Sequence, residues 1–424
     1  MNIKHLLQTI YEGISDACYI WLQELRGIFK DEGVLLFFIV VPLAYPLLYS
    51  WIYNNEVVHE VPVVVVDDSN SGMSRQFIRE CDASPDVRVA YHAADMEEAR
   101  SLIGHQQANG IYYIPSDFAT KLNRMESTTV GVYCDMSLML AYKAIYQTAV
   151  AVSGQINAHL QVQLLGNYTH REDQIATQPL AATDVPIFNP TGGYGNFIIP
   201  GVLVLIIQQT LLLGIGLSAG TARERNRFRD LIPMSRHYQG IFRIVIGKAL
   251  CYFMIYAVMA AYLTMVIPYL FSFVSIYQWT DLVAVLLPFL LASIFFGMTV
   301  SCMVRYRENV MLLVVFTSVP FLFLSGISWP QSAMPWFWEA FSWLFPSTFG
   351  IRAFVRINSM GATLPDVLVE YRALWIQAAL YFFVACMVYR HQIIQSRQHA
   401  LDRLDYMKRK RLVRQRILAR KAAQ

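Results

Sequence analysis

Six stretches of this chain contain no Asp, Glu, Lys or Arg: Val34–Tyr53, Phe197–Ala219, Ala249–Phe273, Leu282–Val304, Val310–Ile327 and Ala373–Tyr389. Crossing about 30 Å of hydrocarbon takes roughly 20 helical residues, because backbone polar groups must be bonded within the helix where there is no water. Four runs reach that length. The last two, at 18 and 17 residues, come within reach once neighbours such as Arg372 and Arg390 snorkel to the headgroups. Charged residues make up 15% of the chain, against about 25% in soluble domains. Hydrophobic residues make up 55%. A disordered chain is excluded, and an ordinary cytosolic enzyme is disfavoured. The first run starts too late, is too long and lacks a small-residue cleavage site before Asn54, so a signal peptide is a poor reading of it.

Short-loop charges set the orientation expected of such a chain. Between Gly220 and Arg243 stand Arg223, Arg225, Arg227, Arg229, Arg236 and Arg243 against Glu224 and Asp230. Arg305 and Arg307 follow the fourth run, and the segment from Arg390 to Gln424 carries a net charge of +9. These sides are expected in the cytoplasm, together with both termini. The segment Asn54–Asn196 carries a net charge of −8 and is expected outside. The expected class is a membrane α-helical protein with six transmembrane helices and an inserted extracytoplasmic α/β domain.

Ile14–Lys30 reads as an amphipathic helix, with Ile14, Ala17, Cys18, Trp21, Leu22, Leu25 and Phe29 on one stripe and Asp16, Gln23, Glu24 and Lys30 away from it. Standing before a span, it is expected to lie in the bilayer interface through Trp21, Leu22, Leu25 and Phe29. The outside segment alternates strand-like runs (Val61–Val66, Val87–Ala90, Ile111–Ile114, Val130–Cys134) with helix-like ones, a small α/β pattern. Asp67-Asp68-Ser69-Asn70 reads as a turn and Asp95 as a helix cap. A long helical segment, Leu138–Leu165, follows. Between the last two runs, Trp329, Trp336, Trp338 and Trp343 stand among prolines and phenylalanines. Too interrupted to span and too aromatic for a free loop, this segment reads as a hairpin dipping into the outer leaflet.

Several chemistries are missing. No Walker A motif occurs; the nearest likeness, Gly240 to Gly247-Lys248-Ala249, has the wrong spacing and Ala in place of Ser or Thr. Lys248, at the mouth of the third run, is expected to snorkel. The histidines are scattered and no CxxC occurs, so no metal site is indicated. Cys81 and Cys134 share the outside segment, where a disulfide is permitted but not required. No charge lies inside a span, which disfavours ion-coupled transport. The polar residues left there include Gln208, Gln209, Thr210, Thr317 and Ser318. They serve either as interhelical bonding groups or as the lining of a pathway or dimer seam.

Three stretches carry a resemblance. Ile187-Phe188-Asn189-Pro190 through Phe197-Ile198-Ile199-Pro200-Gly201 to Gln208-Gln209 is similar to the start of span two in ABC-2 type permeases. Phe323-Leu324-Ser325-Gly326-Ile327-Ser328-Trp329-Pro330, Met334-Pro335, and Phe345-Pro346-Ser347-Thr348 onward to Ala362 resemble that family's most specific signature. The opening Val61-Pro62-Val63 to Val66-Asp67, with Ser74-Arg75, resembles the bacterial exporter branch with a large periplasmic insert. The resemblance implies the membrane subunit of an ATP-driven exporter in the bacterial inner membrane, itself no enzyme. It implies two ABC ATPase subunits that carry ATP and Mg, with no cofactor in this chain. A second permease chain, identical or a sibling, is implied too, along with a possible periplasmic membrane-fusion adaptor. Membrane lipid is expected at the basic tail, and nucleic acid is not. Arg223, Glu224, Arg225, Arg227, Phe228 and Arg229 fall on the family's coupling loop. Its Gly-Thr is replaced here by Asn226-Arg227-Phe228-Arg229. The implied division is a cytoplasmic N-terminus (1–33), a first span (34–53) and a periplasmic α/β domain with a long helix (54–196). Spans two to five follow with the coupling loop at 220–243 (197–328), then the outer hairpin (329–371), a last span (372–390) and a basic tail (391–424). The rival reading is a membrane-anchored scaffold or binding protein acting through the α/β domain.

Overall fold

The protein was analysed as a computed structural model, which describes residues 3–54, 57–124, 126–165, 187–189, 193–225, 231, 238, 240–304 and 306–422. The chain separates into two units, one of residues 1–54 with 194–424 and one of residues 55–193.

In the first unit, six helices among the described residues are long and apolar enough to cross a membrane: Glu32–Ile52, Tyr194–Glu224, Ile241–Leu270, Trp279–Met303, Arg307–Leu324 and Leu364–Gln398. We call them spans one to six. Span two is the axis. Its apolar stretch is buried throughout, and spans one, four and five and the helix Pro346–Met360 all pack along it. Small residues let them approach. A Cβ on Gly214 would lie 2.5 Å from the Phe38 ring of span one, and one on Gly216 would lie 2.4 Å from Val310 of span five. Where lipid is as apolar as leucine, such close packing is what holds helices together.

Spans one and three each contain a π-helical turn, at Leu36–Val40 and Tyr262–Val266. Each turn stands just before a proline, Pro42 or Pro268, which has no N–H to give to the i→i−4 ladder. Between spans five and six lie the short helix Trp336–Ser342 and the buried helix Pro346–Met360. The latter ends at Gly361, where φ is +65°, a left-handed cap that glycine takes without strain.

The second unit holds a four-stranded sheet among the described residues, ordered β2-β1-β3-β4. Its strands are β1 Val61–Asp67, β2 Val87–His92, β3 Gly110–Ile114 and β4 Gly131–Cys134. β1 pairs in parallel with β2 and β3, and β4 runs antiparallel to β3. β1 is central and covered on both faces, which is why five of its seven residues are valine. Val61, Val63 and Val65 face Phe77, Tyr112 and the long helix Met139–Leu165, while Val64 and Val66 face Ala99 and Ile111. The Tyr112 hydroxyl donates to the Ile145 carbonyl at 2.8 Å, tying that helix to the sheet. Asp95 caps its helix by accepting from Glu98 N at 2.8 Å. Asp67 closes the turn after β1, accepting from Ser69 N, Asn70 N and the Ser74 hydroxyl. Cys81 and Cys134 are free thiols; burial pushes them up to about 12 and about 11. Among the described residues no cluster of His, Cys, Asp and Glu could hold a metal.

Packing against span two generates a first prediction. Gly214→Ala forces the Phe38 ring aside and should cost about 1–3 kcal/mol. It should appear as a lower unfolding temperature in detergent than Gly154→Ala, where a Cβ meets nothing within 4 Å.

Candidate functional site

The N-terminal helix Ile3–Lys30 packs on span three and shows two faces. Tyr11, Ile14, Cys18, Leu22 and Phe29 form an exposed stripe at three- and four-residue spacing. The opposite face carries Asp16 and Glu24, and Asp31 follows at the junction with span one. These three acids stand about two helical turns apart, and each meets a cation from a different place in the bundle. Asp16 pairs with Arg243 at 2.6 Å, Glu24 with Lys248 at 2.6 Å and Asp31 with Arg307 at 2.9 Å.

The middle rung is the most enclosed. The Glu24 and Lys248 side chains are 10% and 6% exposed. Glu24 also accepts from the hydroxyls of Ser218 on span two, at 2.9 Å, and Tyr252 on span three. Burial by itself raises the Glu24 carboxyl. The Lys248 ammonium and the hydrogen bonds from Lys248, Tyr252 and Ser218 outweigh it and hold the group below its ordinary 4.5. At Asp31, burial is likewise outweighed, by Thr221, the Val34 amide and Arg307, and the carboxyl sits below its ordinary 3.8. Asp31 thereby caps span one while gripping span two through Thr221 at 2.8 Å and span five through Arg307. Lys248 is therefore not the snorkelling residue its sequence position suggests. Span three begins at Ile241, so Lys248 is two turns inside it and finds its counter-ion on the neighbouring helix.

Beside this ladder lies a cavity of about 360 Å³, lined by Gln23, Glu24, Lys248, Ser218 and Thr221 and by Leu231 and Tyr238 from the loop between spans two and three. The ladder and the described parts of that loop thus share one end of the bundle. Within the expected coupling set, Arg223 is buried. Its guanidinium donates to the carbonyls of Cys302, at 2.9 Å, and of Val304, at the end of span four. It holds the root of the loop and is turned inward, while Glu224 is exposed and Arg225 ends the helix. Arg227, Phe228 and Arg229 lie outside the described residues. In the N-terminal helix, Trp21 and Leu25 pack against the core, while Leu22 and Phe29 are exposed.

A second feature is a groove of about 450 Å³ between spans one, two and five. It brings together three of the five expected lining residues, Gln209, Thr210 and Ser318. Gln208 turns to Ser347 at 3.2 Å, and Thr317 donates to the Leu313 carbonyl of its own helix. At the aromatic segment, Trp329, Trp336, Trp338 and Trp343 are all exposed. Trp329 and Trp338 wall an apolar pocket of about 400 Å³ with Phe323, Met334 and Pro335. Span six fastens this segment by donating to carbonyls, Gln377 to Trp343 at 2.7 Å and Tyr381 to Leu344.

Sequence alone does not mark Asp16, Glu24 and Asp31 as site residues. The available signal is spacing, which puts Asp16 and Glu24 on one face opposite the apolar stripe, with Asp31 just past the helix end. Removing one partner of a buried pair strands the other, typically at about 3–5 kcal/mol. Glu24→Gln should therefore lower the unfolding temperature well below that of the doubly neutral Glu24→Gln/Lys248→Met. Both carboxyls are depressed by folding, so their contribution is in place above the ordinary carboxylate values and is lost as pH falls through the folded ones. Thermal stability measured across pH should hold from neutral to about 5, fall at lower pH, and fall less in the double variant.

A family profile described as ABC-2 family transporter protein matches residues 33–387. Two relatives bear the name probable multidrug ABC transporter permease YbhR, one from Escherichia coli strain K12 and one from Escherichia coli O157:H7. Each is 20% identical to this chain over 348 residues, covering 79% of this chain and 86% of the relative.

Proposed function

Because the chain belongs to the ABC-2 transporter family and is a multi-pass membrane subunit, we infer that it is the gate of an ATP-driven exporter. The sequence contains no phosphate-binding loop, so work must arrive by contact from ATPase subunits. Those subunits would dock from the cytoplasm on the loop between spans two and three, with both termini on the same side of the inner membrane. Arginine forks suit carboxylates on a partner, and Phe228 suits a pocket.

The observation that carries this reading is the ion-pair ladder. A push on the loop at the end of span two reaches the N-terminal helix through Ser218–Glu24 and Thr221–Asp31, and span five through Asp31–Arg307. Rigid contacts of this kind let a distant event change the relative stability of two arrangements. The groove between spans one, two and five is the proposed cargo path, closed by a second permease chain in the assembled transporter. The aromatic segment is the proposed outer gate, with its tryptophans at the headgroup level. The unit of residues 55–193 would face the periplasm and receive an adaptor or guide cargo. A multidrug role, stated in the name of the Escherichia coli relatives, accords with a path whose walls are mostly apolar.

The test is a double substitution in the loop. Phe228→Ala with Arg229→Ala should abolish the permease-dependent stimulation of the partner ATPase in proteoliposomes while membrane insertion stays normal. Undiminished stimulation in that variant refutes the docking role.

A further inference from the structure

Buried amide side chains in this chain are bonded at one end at least, with one exception among the described residues. Gln208 donates to Ser347 and Gln377 to the Trp343 carbonyl. Gln209 is 8% exposed, and neither its Nε2 nor its Oε1 has a hydrogen-bond partner. A buried amide without partners is costly and calls for a physical reason. Its place supplies one, because Gln209 lines the groove between spans one, two and five, with its amide atoms closed over by the neighbouring side chains. Two of its polar neighbours there, Thr210 and Ser318, have their hydroxyl protons engaged, and Tyr45 and Tyr49 bring phenol hydroxyls to the same lining. Thr210 donates to the Ile206 carbonyl at 2.6 Å and Ser318 to the Val315 carbonyl at 2.8 Å. None of the described lining residues is Asp, Glu, Lys, Arg or His; the walls are aliphatic and aromatic side chains such as Phe37, Val41, Tyr45 and Leu322.

We propose that Gln209 is the specificity determinant of this groove, and that its cargo is an uncharged amphiphile presenting a hydrogen-bond donor and acceptor together, such as a carboxamide, on an apolar body. This rests on the reading of the groove as the cargo path. A side-chain amide offers one acceptor and two donors in a plane, so its complement is another amide-like edge. A charged cargo would leave water for walls that carry no counter-ion, which is far more costly than burying a neutral group that finds its bonds. A bare hydrocarbon would fill the groove and leave Gln209 unsatisfied. A site with a polar group to satisfy discriminates against ligands that lack the matching one. At rest the amide is closed over and unbonded, and a turn of the flexible side chain into the groove lets a cargo supply its bonds.

The experiment uses the full chain reconstituted with its ATPase subunits and three diazirine-bearing probes of equal length: a dodecanamide, the matched dodecane and the matched dodecyltrimethylammonium. Labelling is mapped to peptides covering 202–213 and 314–322, which contain the groove walls of spans two and five. The amide should label them about tenfold more than either other probe, the preference expected from one satisfied buried group. Gln209→Leu should bring that ratio close to one while dodecane labelling is unchanged. Gln209→Met, closer in shape, should do the same and guards against a folding defect. Equal labelling by amide and dodecane in the unaltered chain, or a preference that survives both substitutions, overturns the role of Gln209 and leaves the groove as the path. Failure of every probe to label these peptides overturns the path as well.

Discussion

Three carboxylates, two on one face of the N-terminal helix and one at its junction with span one, hold one end of this bundle together. Apolar helices in lipid have no hydrophobic reason to prefer one neighbour over another, so packing and buried polar contacts decide. Here Asp16, Glu24 and Asp31 supply those contacts, and each leads to a different place: the start of span three, its second turn, and the junction of spans two and five. A buried ion pair adds little net stability compared with an apolar pair of the same shape. What it supplies is register, since any sliding of the N-terminal helix along span three would leave Glu24 and Lys248 unpaired together.

The two ends of the bundle follow different rules. At the ladder end the polar groups are bonded to one another, and Arg223 anchors the departing loop to the last carbonyls of span four. At the other end the contacts are aromatic, and the polar bonds run from span six to carbonyls of the tryptophan-rich segment. Between them, span two presents an uncharged wall interrupted at Gln208 and Gln209. One of these is bonded to Ser347, and its neighbour stands unbonded in the groove wall. Adjacent residues on a helix point about 100° apart, so one polar pair can serve an internal joint and a groove wall at once.

Much of the bundle could be read from the chain itself, because the absence of charge over some 20 residues leaves few alternatives. The valines of β1 and the cap at Asp95 were equally legible, being local signals. The ladder was not read, although half of it was visible. Two of the acids fall on one helical face, but the cations of all three lie 227, 224 and 276 residues away, and nothing local distinguishes an acid facing a lysine from one facing water. The same distance hid span three's true start, since Arg243 and Lys248 look like the end of a loop until their partners are seen. The groove was half legible. Sequence could name Gln208, Gln209, Thr210, Thr317 and Ser318 as polar residues in apolar helices, but only the helix rotation separates those that reach the groove from those that bond elsewhere.

The wide turns in spans one and three carry a consequence of their own. Each inserts one residue into an otherwise regular spiral, so everything beyond it is rotated by about 100° from where an unbroken helix would put it. In span one the turn Leu36–Val40 separates Asp31, on the ladder, from Tyr45 and Tyr49, on the groove. The angular offset between ladder and groove is therefore set by a single extra residue. A chain with one residue deleted there would keep the same residue types and the same joint while presenting another side of the helix to the groove.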